Sequence, residues 1–377
     1  MQNSEASLPP VEASFEASWP PPPAVPTDEP NAYLGQTFRF QFRGNAREYF
    51  GIWIVNILLT IVTFSLYAPW AKVRRLRYFY GNTVFYRRKF DFTGVPTRIL
   101  IGRIIALGVY FGASALAQVS WQASLIGFLI IFLLVPWLVR STIRFRARNS
   151  KFGNSRFYFT GTTKEAYILA LKGILIYIFT LGIFFPVLFW YFKKYTLDNL
   201  QLGQLRFELH ADWPDYMRAM YVPVFLFIGI VFVLGLFVAF TLQVGSSSPT
   251  QFGIIVAVIY MIAAFMIWPL MMARIFITTW NKATLGRSPF QTDCGQMHYA
   301  WIVMTNWILK ILSLGLLSAW AAVRLYQYQI ESLTLTLKND PDRMYNLAQD
   351  DPNAIASAIV IQFVPTKLKD HPCGHGG

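Results

Sequence analysis

Charge is scarce in this chain. Charged residues make up 14% of its 377 residues, against about 25% in an ordinary soluble domain, so a conventional water-soluble fold is set aside at once. Histidine is rarer still, with His210 and His298 in the body of the chain and His371 and His375 near its end. Two cysteines, Cys294 and Cys373, provide no disulfide framework. HExxH, GxSxG, a phosphate-binding glycine loop and paired CxxC motifs are all missing, which removes the usual signatures of zincins, α/β-hydrolases, P-loop enzymes and zinc ribbons. No enzyme activity, cofactor or metal centre is therefore expected. His371, Cys373 and His375 carry metal-ligating atoms, but on a glycine-rich tail with no second shell to orient them. A cleaved signal peptide is also unexpected, because the first apolar run starts near Phe50 behind a long polar leader.

What the chain has in abundance is hydrocarbon. Hydrophobic residues are 55% of it, aromatics 17%, and the mean hydropathy is +0.40, values of a membrane protein. Residues 99–117, 123–139, 220–242 and 252–272 are apolar for close to the roughly 20 residues needed to cross a bilayer core. Residues 1–36 differ: five acidic residues, no Lys or Arg, and the proline run Pro20–Pro23. Such a segment cannot bury a core and is expected to be disordered. The net charge of +14 thus concentrates in the remainder, where it signals either affinity for anionic headgroups or loops held on the cytoplasmic side.

One phrase is said three times. Residues 63–78 read TFSLYAPWAKVRRLRY, residues 180–195 TLGIFFPVLFWYFKKY and residues 313–328 SLGLLSAWAAVRLYQY. Each follows an apolar stretch and opens on a hydroxyl residue. The separation far exceeds the about 20–45 residues of a solenoid repeat and suits a multi-helix membrane unit. Several flanks alternate apolar with polar residues, as in Phe38, Phe40 and Phe42 against Arg39, Gln41 and Arg43, and Leu333, Leu335 and Leu337 against Thr334 and Thr336. That is a strand pattern, expected also around residues 85–92, 157–159 and 205–209.

The positive-inside rule then orders the parts. Loops near Val119 and Ser247 lack charge and belong outside, whereas their far ends carry Arg98, Arg103, Arg140, Arg144, Arg146 and Arg148, or Arg218, Arg274 and Lys282. Each repeated segment has basic flanks on both sides, Arg39, Arg43 and Arg47 before the first and Lys72, Arg74, Arg75 and Arg77 after it. Two readings stay open: a re-entrant hairpin that turns back at the hydroxyl, or one span kinked where Pro69 lacks an amide donor. Irregular backbone at membrane depth needs a covered or water-lined setting.

Lys172 and Lys310 lie inside apolar stretches, and an intramembrane charge defaults to a functional hypothesis; the plain alternative is snorkelling to the interface. Glu208, Asp212 and Asp215 read as a solvated rim, and Trp53, Trp70, Trp137, Trp190, Trp268 and Trp320 as interfacial belts. The candidate ligand-binding set is Asn56, Thr60, Thr63, Pro69, Lys172, Thr180, Asn306, Lys310 and Ser313. If it forms a site, the three hydroxyl breaks face one another, with Lys310 favouring an anionic group. The rival is that each hydroxyl caps its own broken helix.

The opening FQFRGNAREYF, the helix with Asn56 and Leu58-Leu59-Thr60, the Pro69-Trp70-Ala71 phrase and the basic run from Arg74 to Tyr78 resemble the YjgN family of bacterial membrane proteins. The likeness covers nearly the whole chain and is strongest in the first repeat; Val187 and Ala319 depart from the pattern. It implies an inner-membrane location and transfers no activity, since the family is named for a domain of unknown function.

The expected fold is a polytopic α-helical membrane protein. Its threefold internal repeat of broken or re-entrant segments is separated by two transmembrane hairpins, with short cytosolic β-strands. The expected divisions are a leader (1–36), repeat one (37–95), a hairpin (96–148), repeat two (149–212), a hairpin (213–280), repeat three (281–340) and a cytosolic tail (341–377), with both termini cytoplasmic. The expected function is transport or handling of an anionic solute or lipid; the alternative is a scaffold whose strands recruit partners. The bilayer, its anionic headgroups and further copies of the chain are the expected partners, and nucleic acid is not.

Overall fold

The computed structural model describes residues 35–86, 88–243 and 249–338. All but the end of the acidic leader, the uncharged loop around Ser247 and the tail with His371, Cys373 and His375 lie outside those residues. Strands and helix pairs alternate from end to end. β1 (Thr37–Arg39) and β2 (Gln41–Phe42) lead into α1 (Ala46–Val62) and α2 (Ala68–Gly81). β3 (Thr83–Phe85) and β4 (Arg88–Phe92) lead into α3 (Pro96–Leu116) and α4 (Trp121–Arg148). β5 (Ser150–Phe152) and β6 (Ser155–Phe159) precede α5 (Thr163–Phe179) and α6 (Phe185–Asp198). β7 (Leu200–Leu202) and β8 (Leu205–Leu209) precede α7 (Trp213–Gln243) and α8 (Pro249–Asn281). β9 (Ala283–Leu285), β10 (Ser288–Thr292), α9 (Gln296–Leu312), α10 (Ser318–Glu331) and β11 (Leu333–Thr336) complete the order.

The strands form one antiparallel sheet in the order β1-β11-β10-β9-β8-β7-β6-β5-β4-β3-β2. β1 and β2 are separated by Phe40 alone, whose amide bonds to Leu333 O at 3.1 Å. One stretch of chain therefore pairs with β11 on one side and β3 on the other, and the sheet closes on itself. Closure leaves no unpaired edge. The consecutive strands join through two-residue turns, as the pairs Phe152↔Ser155, Leu202↔Leu205 and Leu285↔Ser288 show. Gly153, Gly203 and Gly286 supply the left-handed φ of 57–59° that such turns require.

The helices form a second closed circuit. Each packs on its neighbours in sequence order, and α10 packs on α1. Helix-to-strand junctions are made by side chains: Asn82, Asn149 and Asn199 each donate from Nδ2 to the carbonyl four residues back, at 2.9, 2.6 and 3.0 Å. Strand-to-helix junctions need a missing side chain. A Cβ on Gly44, Gly94 or Gly161 would sit 2.4–2.6 Å from the ring of Phe42, Phe92 or Phe159, two residues earlier.

Among the described residues, Pro96–Leu116, Trp121–Arg148 and Trp213–Phe237 are long and apolar enough to cross a membrane. The phrase-bearing pairs are shorter: α1, α5 and α9 have 17 residues each, α2, α6 and α10 have 14. Each short pair folds back on itself. Tyr78, Tyr195 and Tyr328, the last residue of each phrase, bond to the residue before the preceding helix: Asn45 N to Tyr78 Oη at 2.7 Å, Tyr195 Oη to Thr162 O at 3.1 Å and Gly295 N to Tyr328 Oη at 2.9 Å. Both ends of every short pair thus meet at the strand ring. The two long pairs occupy the same place in the element order, so the chain reads as five strand-and-helix-pair units.

Candidate functional site

The breaks in the short pairs are helix caps. Ser65, Gly182 and Gly315 donate their amides to Thr60, Tyr177 and Lys310 O at 2.7–2.8 Å, and the preceding amide closes a tighter turn, the pattern of a Schellman cap. Thr63 Oγ1 and Thr180 Oγ1 each donate to the carbonyl four residues back at 2.6 Å. Ser313 Oγ donates to Lys310 O at 3.4 Å. All three hydroxyls also accept the amide four residues on, from Tyr67, Phe184 and Leu317, at 3.0–3.3 Å. Each hydroxyl thus bridges its own break. Pro69 and Pro186 are buried in the first turn of the second helix, where a missing amide costs nothing. The proline starts the returning helix rather than breaking a continuous one.

The other singled-out residues do not converge. Asn56 and Asn306, at matching positions of α1 and α9, are buried. Asn306 donates to Ala321 O at 3.1 Å and receives Arg324, whereas Asn56 Oδ1 has no partner. Thr60 bonds back to Asn56 O. Lys172 is exposed on α5 and Lys310 half-buried at the end of α9. α5 lies between α4 and α6, while α1 and α9 flank α10, so Thr180 and Lys172 sit across the helix circuit from the rest. No hydrogen bond among the described residues joins one break to another.

A cavity of about 660 Å³ does exist, in the lumen of the strand ring. The pleat sorts residues to two faces. Inward face Phe90, Phe152, Phe157, Leu202, Phe207, Leu285, Phe290 and Leu335, which are paired across strands. Outward in the same registers lie Asp91 opposite Lys151, Tyr158 opposite Gln201 and Glu208 opposite Thr284. This apolar-in, polar-out sorting is that of a water-facing, ligand-holding barrel and the reverse of a membrane-spanning one.

Five phenylalanines belt the lumen in a closed circuit. Ring centroids lie 6.3 Å apart for Phe40–Phe90, 6.4 Å for Phe90–Phe157, 6.3 Å for Phe157–Phe207, 6.0 Å for Phe207–Phe290 and 6.3 Å for Phe290–Phe40. Phe90, Phe157, Phe207 and Phe290 are each the third residue of a five-residue strand. The sequence predicts the strands that bear Phe90, Phe157 and Phe207 but not β10 with Phe290, and nothing local says that rings of different units meet. The helix-side end of the lumen is lined from the last turns of the returning helices by Ile143, Arg146, Phe192, Lys193, Tyr326 and Ile330. Arg88 stands at the opposite, hairpin end of β4. No aspartate or glutamate is among the lining residues. Lys193, outside the candidate spans, has its amine 5.7 Å from the centre of the Phe189 ring, and burial pushes its pKa below the usual lysine range.

A closed strand ring with an apolar lumen, set beneath a circuit of helices that includes bilayer-length spans, defines an integral membrane protein of mixed architecture. Residues 37–360 match the family described as bacterial protein of unknown function (DUF898). The chain belongs to that family. It is 30% identical over 128 residues to the inner membrane protein YjgN of Escherichia coli K12, covering 33% of this chain and 32% of that protein. The corresponding Salmonella typhimurium protein is 27% identical over 139 residues, covering 36% and 35%. The matched stretch thus spans about a third of these relatives. The chain is an integral protein of the bacterial inner membrane. No solved structure matches it.

Proposed function

We propose that this protein takes an amphiphilic lipid from the inner membrane into the lumen of its strand ring, a lipid-handling role without catalysis. The observation that carries the reading is the sorting of faces: a phenylalanine-belted cavity of about 660 Å³, within the usual 300–1,000 Å³ of small-molecule sites, inside a ring whose outer face is polar. In this reading the long pairs anchor the chain across the bilayer. The three phrase-bearing pairs are copies of one unit that enter the bilayer without crossing, and ring and termini are cytoplasmic, where the basic flanks belong. The short-pair tips support entry into lipid, since Phe64, Leu181 and Leu314 are 93%, 90% and 95% exposed, and bulky apolar side chains left so bare find their solvent in hydrocarbon.

The test is a lipid with a photoreactive group midway along its acyl chain, irradiated with the purified full chain in nanodiscs. Cross-links to Phe157, Phe207 or Leu335, mapped by mass spectrometry, are the expected result. Cross-links confined to the outer surfaces of the helices, with the lumen unlabelled, overturn the reading and leave a scaffold whose ring recruits a partner.

A further inference from the structure

We propose that Arg146 and Lys193 form an anion site at the helix-side end of the lumen, which holds the charged headgroup of a lipid whose chain passes the phenylalanine belt. The inference rests on the lipid-binding reading and adds a headgroup class to it. Arg146, in the last turn of α4, and Lys193, about a turn before the end of α6, line the same cavity. Those helices run directly into β5 and β7, which flank a single strand, β6, so the two cations share one sector of the rim. The hydroxyl residues Ser150 and Thr196 line the cavity beside them.

Neither cation has a counter-charge in the described fold, although the Lys193 amine lies 5.7 Å from the centre of the Phe189 ring. Among the described residues neither makes an ion pair with a carboxylate, and neither Arg146 nor Lys193 has a side-chain hydrogen bond. The neighbouring Lys194, by contrast, is paired with Asp198 at 3.1 Å and bonded to Leu209 O. Lys72, on α2, adds positive charge near Arg146, and its own pKa is lowered by burial first and by Arg146 second. Cations gathered against an apolar wall without counter-charge are costly, and an anion delivered there is desolvated and attracted together. Guanidinium and ammonium donors suit a phosphate monoester and a carboxylate alike. The shared chemistry is an acyl chain ending in a compact anion, with a phospholipid acid and a free fatty acid as its two sources.

The experiment measures binding of dioleoyl phosphatidic acid, oleate and dioleoylglycerol to the full chain in detergent by native mass spectrometry. The double variant Arg146→Gln with Lys193→Met is expected to lose about tenfold or more in affinity for an anionic lipid and to keep that for dioleoylglycerol. Lys193→Arg alone, which keeps the positive charge, should retain most of the anionic affinity. Loss confined to phosphatidic acid names the phosphate as the headgroup, and loss confined to oleate names the carboxylate. Unchanged anionic binding in the double variant overturns the anion site, as does an equal loss for dioleoylglycerol. Leu335→Trp, which fills the lumen, separates the two ideas: if it leaves all three lipids bound, the lumen reading itself fails.

Discussion

The short helix pairs and the long ones leave the strand ring by the same route and solve different problems. At about 1.5 Å per residue, a 17-residue helix reaches about 25 Å, short of a hydrocarbon core of about 30 Å. The 28 residues of α4 and the 31 of α7 exceed it. A helix that exceeds the core is long enough to be held by the bilayer it crosses, whereas a shorter pair needs anchoring at its base and tip. Four residues before the end-cap residue, the short pairs carry Tyr78, Tyr195 and Tyr328, which lock the base. At the same position the long pairs carry Phe145 and Thr278, neither of them a tyrosine. The tips differ in kind as well. Short pairs end in a Schellman cap with Phe64, Leu181 or Leu314 at φ of 48–50°, while α4 starts on Ser120, whose side chain accepts from Ala123 N. Length, lock and cap thus vary together.

The largest effect separates the pairs by exposure across the membrane. In a chain with Cys294→Ser and Cys373→Ser, Val119→Cys at the tip of a long pair should react in whole cells with an impermeant maleimide. Val119 is 78% exposed. Glu208→Cys on the outer face of the ring should react only after permeabilisation. Equal labelling of both sites in intact cells breaks the assignment of ring and long tip to opposite sides.

Packing within the pairs gives the next effect. A Cβ on Gly127 of α4 would lie 2.8 Å from the backbone oxygen of Ala113 on α3, so the helices themselves must part. The close approach of small residues is how such helices pack in lipid. Gly127→Ala should cost about 2–3 kcal/mol by thermal unfolding in detergent, as overpacking does. In the short pair α5/α6 the Cβ on Gly173 would meet the end of the Leu188 side chain at 2.5 Å, which can turn aside. Gly173→Ala should cost about 1 kcal/mol or less. A reversed order would show that the short pair is the more tightly built.

Much of this comparison was legible in the sequence. The thrice-said phrase marked the short pairs, its opening hydroxyl marked the break, and alternation at Phe38–Phe42 and Leu333–Leu337 marked strands. Ring closure was not, because Thr37↔Thr336 pairs residues almost a whole chain apart, and no local pattern encodes that register. The long pairs share the element order of the short ones but not the phrase, so their common placement could not be read from the sequence. The residues singled out in the sequence and the cations of the proposed site differ for a physical reason. Lys172 and Lys310 stand out against apolar neighbours, while Lys193 and Arg146 sit in basic flanks that the positive-inside rule already explains. Their inward placement depends on the turn of a helix end above a barrel.

The base locks come third in size. Tyr78→Phe removes the bond from Asn45 N and the 2.6 Å bond to Asn45 O. Asn45 O keeps the Tyr49 amide at 3.1 Å, so the loss of the exposed bonds should cost about 1 kcal/mol, read as a lower melting temperature in detergent. Phe145→Tyr, at the matching place in α4, should give no gain. A gain there equal to the Tyr78 loss would show that the lock is generic to all five units rather than a device of the short ones.

The smallest effect lies at the tips and carries a sign. A bulky side chain in the left-handed region costs about 1–2 kcal/mol, which glycine avoids while losing part of the gain to chain entropy. Phe64→Gly, at φ 48°, should therefore stabilise the detergent-solubilised chain by up to about 1 kcal/mol. Val119→Gly, at a long-pair tip outside the left-handed set, should not. The strained phenylalanine persists, on this argument, because it works in lipid: Phe64→Gly should melt higher in detergent yet lose that advantage in nanodiscs, where the 93%-exposed ring has hydrocarbon to enter. An equal gain in both media would mean that the tip never reaches the acyl chains, and the short pairs would then stand wholly outside the bilayer that the long pairs cross.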